Sequence, residues 1–280
     1  MEELEERLSP ILKWGGGKRQ LLDKILPKIP HYTRYYEPFI GGAAVLFGEK
    51  PQYAVINDFN EELVNTYRVI RNNPEELISL LEIHRSNNSV DYFYQIRAWD
   101  RNPSKYALLS NVEKAARTVY LNRTCFNGLY RVNKNGFFNT PCGKYKNPKI
   151  VNADRIRAIH EYLSTNWIDI RCGDYKDALK HIGSGAFVYF DPPYMSPENG
   201  DEIFTRYTVN GFDKQKQKEL KETCDILTQK GVKFMLSNSC CTFIKDLYKE
   251  YSIEVVQARR SVSADAEKRT FINEVLITNY

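Results

Sequence analysis

Ala186-Phe187-Val188-Tyr189-Phe190-Asp191-Pro192-Pro193-Tyr194 is the stretch around which the rest of the chain is ordered. Five apolar residues in a row read as a short buried strand. Two prolines stop it at once, because neither can donate to a ladder. A carboxylate and a phenol ring are therefore left at the carboxyl end of a strand, the edge at which open α/β sheets bind ligands. The residue before a proline is held extended, so the Asp191 carboxylate and the Pro192 carbonyl can lie close together as two acceptors. Tyr194 adds a flat face beside them. An acceptor pair next to an aromatic plate suits a planar ring that carries an amino group. A strand followed by a plain proline-rich turn accounts for the same four residues, so the remaining sequence must decide.

The 280 residues allow one large domain or two modest ones. A composition of 42% hydrophobic and 27% charged residues is that of an ordinary soluble protein with a sizeable core. No run is long and apolar enough to span a bilayer. The acidic start, Met1-Glu2-Glu3-Leu4-Glu5-Glu6, carries no signal-peptide core, so a cytoplasmic protein without a membrane partner is expected. Cys125, Cys142, Cys172, Cys224, Cys240 and Cys241 form no C-x-x-C pair, and the four histidines are scattered. Reduced thiols and no metal are expected. The net charge of +5 is compatible with a polyanionic partner, and its distribution says more. No acidic residue occurs between Glu113 and Asp154, whereas Lys114, Arg117, Arg123, Arg131, Lys134, Lys144, Lys146 and Lys149 all do.

Nearer the start, Trp14-Gly15-Gly16-Gly17-Lys18 invites a phosphate-loop reading. That fails, because position 12 is leucine and Arg19 stands where Ser or Thr would hold magnesium. What remains is a loop with an aromatic and two cations, suited to covering an anionic small molecule, or else a turn before a helix near Gln20. Tyr35 to Val45 reads as a first β-α unit with a small-residue turn at Gly41-Gly42-Ala43. It lacks the G-x-G-x-x-G of nicotinamide sites. Ala54-Val55-Ile56-Asn57-Asp58 is the second strand. Its terminal carboxylate suits ribose hydroxyls or, equally, the N-cap of a helix starting near Glu61. Apolar stripes from Glu62 to Leu121 read as core faces of helices.

At Asn122 the character changes. Asn127-Gly128 and Asn135-Gly136 are hairpin signals. Phe126, Tyr130, Phe137 and Phe138 interleave with Arg123, Arg131 and Lys134. Cations can meet phosphates while aromatics wedge between bases, and Arg131 and Asn127 carry donor sets for base edges. Phe137 and Phe138 are more readily explained as core. The last third alternates strands and helices again. It ends in an edge hairpin whose basic link, Arg259-Arg260 to Lys268-Arg269, is either solvated or a phosphate contact through Arg260.

In order, the chain carries Lys-Trp-x-Gly-Gly-Lys at 13–18, Phe-x-Gly at 39–41, Asn-Asp at 57–58, Asn-Gly-Leu-x-Arg at 127–131, Asn-x-Pro-x-Gly at 139–143 and Asp-Pro-Pro-Tyr at 191–194. Together these resemble the DNA adenine-N6 methyltransferases, and more closely the Dam-like, alpha-group (D12 class) enzymes that modify GATC. The resemblance runs from Lys13 to Tyr280. One departure is Ala43, where the family's F-x-G-x-G turn has its second glycine. The resemblance implies an α/β fold: a Rossmann-like S-adenosylmethionine-dependent methyltransferase sheet with an inserted, mainly helical DNA-recognition domain. The catalytic domain would span 1–61 and 146–280, and the insertion, with its basic hairpin, 62–145. S-adenosylmethionine is implied as cofactor, without a metal. Trp14 and Lys18 would line its site, Glu37, Phe39 and Gly41 would shape the turn, and Asp58 would hold the ribose. Asp174 and Tyr175 would lie against its adenine, with Asp191 bordering both cofactor and substrate. Lys13, Asn127, Leu129, Arg131 and Pro141 match positions that read the target sequence, and Phe126 matches the wedge. Arg123, Asn133 and Arg260 join this DNA-facing set.

The implied partner is double-stranded DNA. A cognate restriction endonuclease acting on the same site is a further candidate. The implied chemistry uses Asp191, Pro192 and Tyr194 on a flipped base. Three alternatives remain open: cytosine-N4 methylation, which shares the amino-group chemistry, methylation of RNA or protein, and a DNA-binding module that has lost catalysis.

Overall fold

The computed structural model describes residues 8–195, 212–259 and 271–280. Arg260, most of the basic link around it and the segment just after Met195 lie outside the described residues. Seven strands form one sheet: β1 (Tyr35–Glu37), β2 (Tyr53–Asp58), β3 (Trp167–Cys172), β4 (Phe187–Phe190), β5 (Lys233–Ser239), β6 (Ser252–Arg259) and β7 (Phe271–Thr278). Their order is β3-β2-β1-β4-β5-β7-β6. β1 to β5 run parallel, and β7 pairs antiparallel with both β5 and β6. This is the mixed α/β, Rossmann-like sheet expected from the sequence.

Position in the sheet explains each strand's pattern. β4 lies near the centre, and all four of its residues are buried. β3 lies at one edge and starts with exposed Trp167 and Asp169 alternating with buried Ile168 and Ile170. The Ile168 and Ile170 carbonyls accept from Arg71 and Arg68 of the helix Glu61–Asn72, so side chains from above blunt that edge. Neighbouring residues in β1, β2 and β4 enter different apolar layers. Tyr35, Ile56 and Phe187 face one layer, and Tyr36, Val55 and Val188 the other. A period of two with both faces covered is what a doubly wound sheet requires.

Between β2 and β3 the chain is mainly helical. The first of these helices, Glu61–Asn72, is capped by the Asn60 side chain, which accepts from Leu63 N–H. Asp58 is not the cap. Asn111–Thr124 opens with a capping box between Ser110 and Glu113. Buried Leu63, Tyr67, Phe93, Val119 and Tyr120 belong to the same apolar layer as Tyr35 and Ile56, so these helices share one core with the sheet. The helix expected near Gln20 begins as a 3-10 turn, Lys18–Leu21.

The order in which strands are laid down reverses between β1 and β4. The chain steps from β1 outward to β2 and β3, then returns to place β4 on the other side. A crevice opens at such a switch point, outside the strands' carboxyl ends. Glu37-Pro38-Phe39 and Asp191-Pro192-Pro193-Tyr194 leave their strands there.

Candidate functional site

A cavity of about 1240 Å³ opens at this switch point. Its lining includes Trp14, Lys18, Glu37, Phe39, Gly41, Asp58, Asp174 and Tyr175 from the N-terminal loop and the ends of β1, β2 and β3, and Asp191, Pro192 and Tyr194 from the end of β4. Lys13, Arg123, Asn127 and Leu129 reach it from the N-terminal loop and the inserted segment. Phe126, Arg131, Asn133 and Pro141 stand on that segment outside the lining.

The glycine turn is shaped by its neighbours. Gly41 has φ +45°, and an added Cβ would lie 3.0 Å from Trp14 Cδ1. Glycine is therefore demanded by both backbone and space. Ala43 has φ 59°, the left-handed conformation that glycine adopts more cheaply, so alanine keeps the turn at a cost of about 1 kcal/mol. Gly41 N–H donates to Asp58 Oδ2 (3.0 Å), and its carbonyl accepts from Tyr67 OH (2.8 Å). Asp58 Oδ1 accepts from Asn60 N–H (3.0 Å). Burial pushes the Asp58 carboxyl above its ordinary range, and these two amides pull it back. Asn57 donates to the Pro38 and Gly173 carbonyls and so ties the loops after β1 and β3 together. Phe39 stacks on Tyr175 (5.1 Å) and meets Phe212 edge-on (5.8 Å), which gives an apolar wall. Asp174 caps the short helix Tyr175–Ala178.

At the tetrapeptide, buried Lys18 joins the two halves. Its ammonium lies 2.7 Å from Asp191 Oδ1, donates to the Gly16 carbonyl and sits 4.7 Å from the centre of the Tyr194 ring. Burial pushes the Asp191 carboxyl up to about 6, with Lys18 opposing. Burial pushes Glu37 further, to about 8, despite the Tyr35 hydroxyl that donates to it (2.7 Å). Tyr194 OH donates to Glu274 Oε2 (2.6 Å). The loop itself is braced from beneath by two fully buried amides. Gln217 donates to the Pro193 carbonyl, Asn238 donates to Gln217, and Met195 N–H donates to Asn238.

On the other side, the inserted segment is tied to the N-terminal loop. Asn122 is fully buried, accepts from Lys13 N–H and donates to the Lys13 and Gly128 carbonyls. Trp14 stacks on Tyr130 (5.2 Å). Asn127-Gly128 is not a hairpin turn. Both residues are left-handed and close a 3-10 turn just after the helix Asn111–Thr124. Asn135-Gly136 does cap a hairpin, with Val132 bridged to Phe138. Asn133 spends its side-chain oxygen on the amides of Asn135 and Phe137 within that turn. Arg131 is exposed and donates to Asn139. Phe126 is 44% exposed, whereas Phe138 is buried as core.

Gln217, Asn238, Glu274 and Asn122 carried no signal that sequence reasoning used, and Tyr130 was read only as one of the hairpin aromatics, not as the partner of Trp14. Each is an isolated polar or aromatic residue whose partner lies far along the chain. Among the described residues no group of three or more His, Cys, Asp or Glu could hold a metal, and no helix is long and apolar enough to cross a membrane.

A cavity of about 1240 Å³ lined by a carboxylate with an aromatic wall and by an acceptor pair with an aromatic plate has room for two ring-bearing ligands. A family model described as "D12 class N6 adenine-specific DNA methyltransferase" matches residues 14–262. The type II methyltransferase M1.LlaDCHI of Lactococcus lactis subsp. cremoris is 47% identical over 274 residues, covering 98% of this chain and 96% of the relative. The type II methyltransferase M.MjaIII of Methanocaldococcus jannaschii is 37% identical over 98% of this chain and 99% of its own length. The DNA adenine methylase of Escherichia coli K12 is 29% identical over 95% of this chain and 93% of its own.

Proposed function

The chain belongs to the D12 class N6 adenine-specific DNA methyltransferase family, and from that premise we propose that it methylates N6 of adenine in a short duplex site of the GATC type. The methyl donor is S-adenosylmethionine, and the adenine is flipped out of the helix into the pocket at Asp191–Tyr194. The observation that carries this proposal is that Asp58, Phe39 and Tyr175 line the same cavity as Asp191, Pro192 and Tyr194.

The residues on the glycine-turn side fit the donor. Asp58 would take the ribose hydroxyls, and Asp174 and Tyr175 would lie against the donor's adenine, with Phe39 packed behind Tyr175. Trp14, Lys18, Glu37 and Gly41 would enclose the remainder. When bound, S-adenosylmethionine supplies an electrophilic methyl group. The protein's task is to make a poor nucleophile attack it, because the N6 lone pair is delocalised into the ring. Lys18 takes one Asp191 oxygen, which leaves the other for the amine. Asp191 and the Pro192 carbonyl accept the two N6 hydrogens, favouring a pyramidal nitrogen with a localised lone pair. Tyr194 stacks on the ring and sets its plane. Positioning and electrostatics supply the rate, without a covalent intermediate.

Double-stranded DNA would lie against Lys13, Arg123, Asn127, Leu129, Arg131, Asn133 and Pro141, with Phe126 as the wedge and Arg260 as a phosphate contact. The domain boundaries that go with this arrangement are 1–61 and 146–280 for the catalytic part and 62–145 for recognition. The type II relatives support a restriction-modification role beside an endonuclease of the same site, in the cytoplasm.

The test is to map modified bases in DNA from cells expressing the protein. N6-methyladenine confined to one short motif is expected. N4-methylcytosine, or no modification, would overturn the proposal. Asp191→Ala is expected to lower methyl transfer at least about 100-fold while DNA affinity holds.

A further inference from the structure

We infer that Glu274 is a positioning residue for this reaction, fixing the plane of the Tyr194 ring through the tyrosine hydroxyl. The inference rests on the reading of Tyr194 as the platform for the flipped base. Glu274 stands on β7, the strand that runs against the parallel sheet, in register with Ser239 of β5 and Val256 of β6. It is 8% exposed and lines the cavity. Among the described residues no Lys, Arg or His forms an ion pair with it. Its carboxylate instead takes the Tyr194 hydroxyl at 2.6 Å, the length of a charge-assisted bond.

The rest of the loop shows why this one contact matters. Gln217 and Asn238 hold the main chain at Pro193 and Met195. They fix where the Tyr194 backbone lies and leave the ring its two side-chain torsions. Lys18 lies over the ring at 4.7 Å, a contact a tilting ring can keep. A hydrogen bond at the far end of the ring, to a carboxylate anchored in a strand, is what removes the tilt. A platform locked in this way presents the base at one angle to the Asp191–Pro192 acceptors. A loose platform would still bind DNA but would align the amine less often.

The experiment measures the single-turnover rate constant for methyl transfer and the DNA dissociation constant in the full-length protein. The variants are Tyr194→Phe, Glu274→Ala, Glu274→Gln and the Tyr194→Phe/Glu274→Ala double. Glu274→Ala is expected to lose about tenfold in rate with DNA affinity unchanged. Glu274→Gln, whose amide oxygen still accepts, should recover most of that loss. Tyr194→Phe removes the hydroxyl and little else, so it should match Glu274→Ala, and the double variant should be no slower than either single. A wild-type rate in Glu274→Ala, losses that multiply in the double variant, or Glu274→Gln as slow as Glu274→Ala would each overturn the inference. Tyr194→Ala separates the two readings. If it transfers at the wild-type rate, the platform itself is wrong; if it is slow while Glu274→Ala is not, only the role of Glu274 falls.

Discussion

In the proposed mechanism Asp191 acts only as an anion, and burial makes that condition testable. An ionised carboxylate accepts an amine hydrogen, whereas a protonated one presents a hydroxyl where the amine needs an acceptor. Burial lifts Asp191 to about 6, with the Lys18 ammonium 2.7 Å away limiting the rise. The sign follows: below about 6 the free enzyme carries mostly the wrong form, and kcat/KM rises with pH through that value and then levels. Asp191→Asn keeps a neutral acceptor and loses the titration, so its kcat/KM is expected to be low and flat over the same range. Steady-state rates across the range check this, and a wild-type profile as flat as the variant's would remove the anion from the mechanism. Asp191 was legible in the sequence because two prolines mark the strand end beside it. Glu274, which bonds the same tetrapeptide, was not. It lies 80 positions further on, and nothing local to its strand distinguishes a carboxylate that faces a cavity from one that faces solvent.

Elements were read well where one strand or helix answers to its own periodicity. They were read less well where their ends depend on another segment. The apolar run Phe187–Phe190 is a strand because both faces are covered, and it could be recognised unaided. Asn127-Gly128 looked like a hairpin turn because the dipeptide favours left-handed backbone. The structure uses that same preference to close a 3-10 turn after the helix Asn111–Thr124, and the reason is distant: Asn122 gathers the Lys13 backbone and the Gly128 carbonyl. Gly128 is held so close that an added Cβ would lie 2.7 Å from Lys13 Cβ. Asn122→Ala would leave three backbone groups without their buried partner. A loss of about 2–3 kcal/mol is expected, together with weaker DNA binding as the loop and the inserted segment separate. Urea unfolding measures the first and a DNA titration the second. A variant of wild-type stability would show that the two segments are held by the Trp14–Tyr130 stack instead.

Across the whole molecule, a Rossmann-like sheet was legible because strands and helices alternate; the strand order and its switch point, from which the cavity follows, rest on pairings between distant strands and could not be read along the chain. Surface charge was only half legible. A sequence window without acids suggests a uniformly basic face, yet its cations divide in the fold. Lys134, Lys144, Lys146 and Lys149 are exposed. Arg117 is turned inward, its guanidinium 2.7 Å from Asp100, with 4% and 12% of the two side chains exposed, and it also donates to the Ile96 and Arg97 carbonyls. Asp100 lies outside the window, which is why counting charges along the chain could not exclude Arg117 from the DNA face. The two classes predict opposite outcomes. Each lysine that meets a phosphate releases a counterion and contributes up to about 0.9 to the slope of log affinity against log salt. Replacing the four lysines with glutamine is therefore expected to flatten that slope by up to about 3.6 and to leave unfolding unchanged. Arg117→Gln is expected to leave the slope alone and cost about 2 kcal/mol of stability, because Asp100 keeps Arg101 but loses its second cation, and the Ile96 and Arg97 carbonyls lose their donor. DNA titrations over a range of salt, paired with urea unfolding of the same variants, separate the two. An unchanged slope in the lysine variant would move the duplex to another face of the protein.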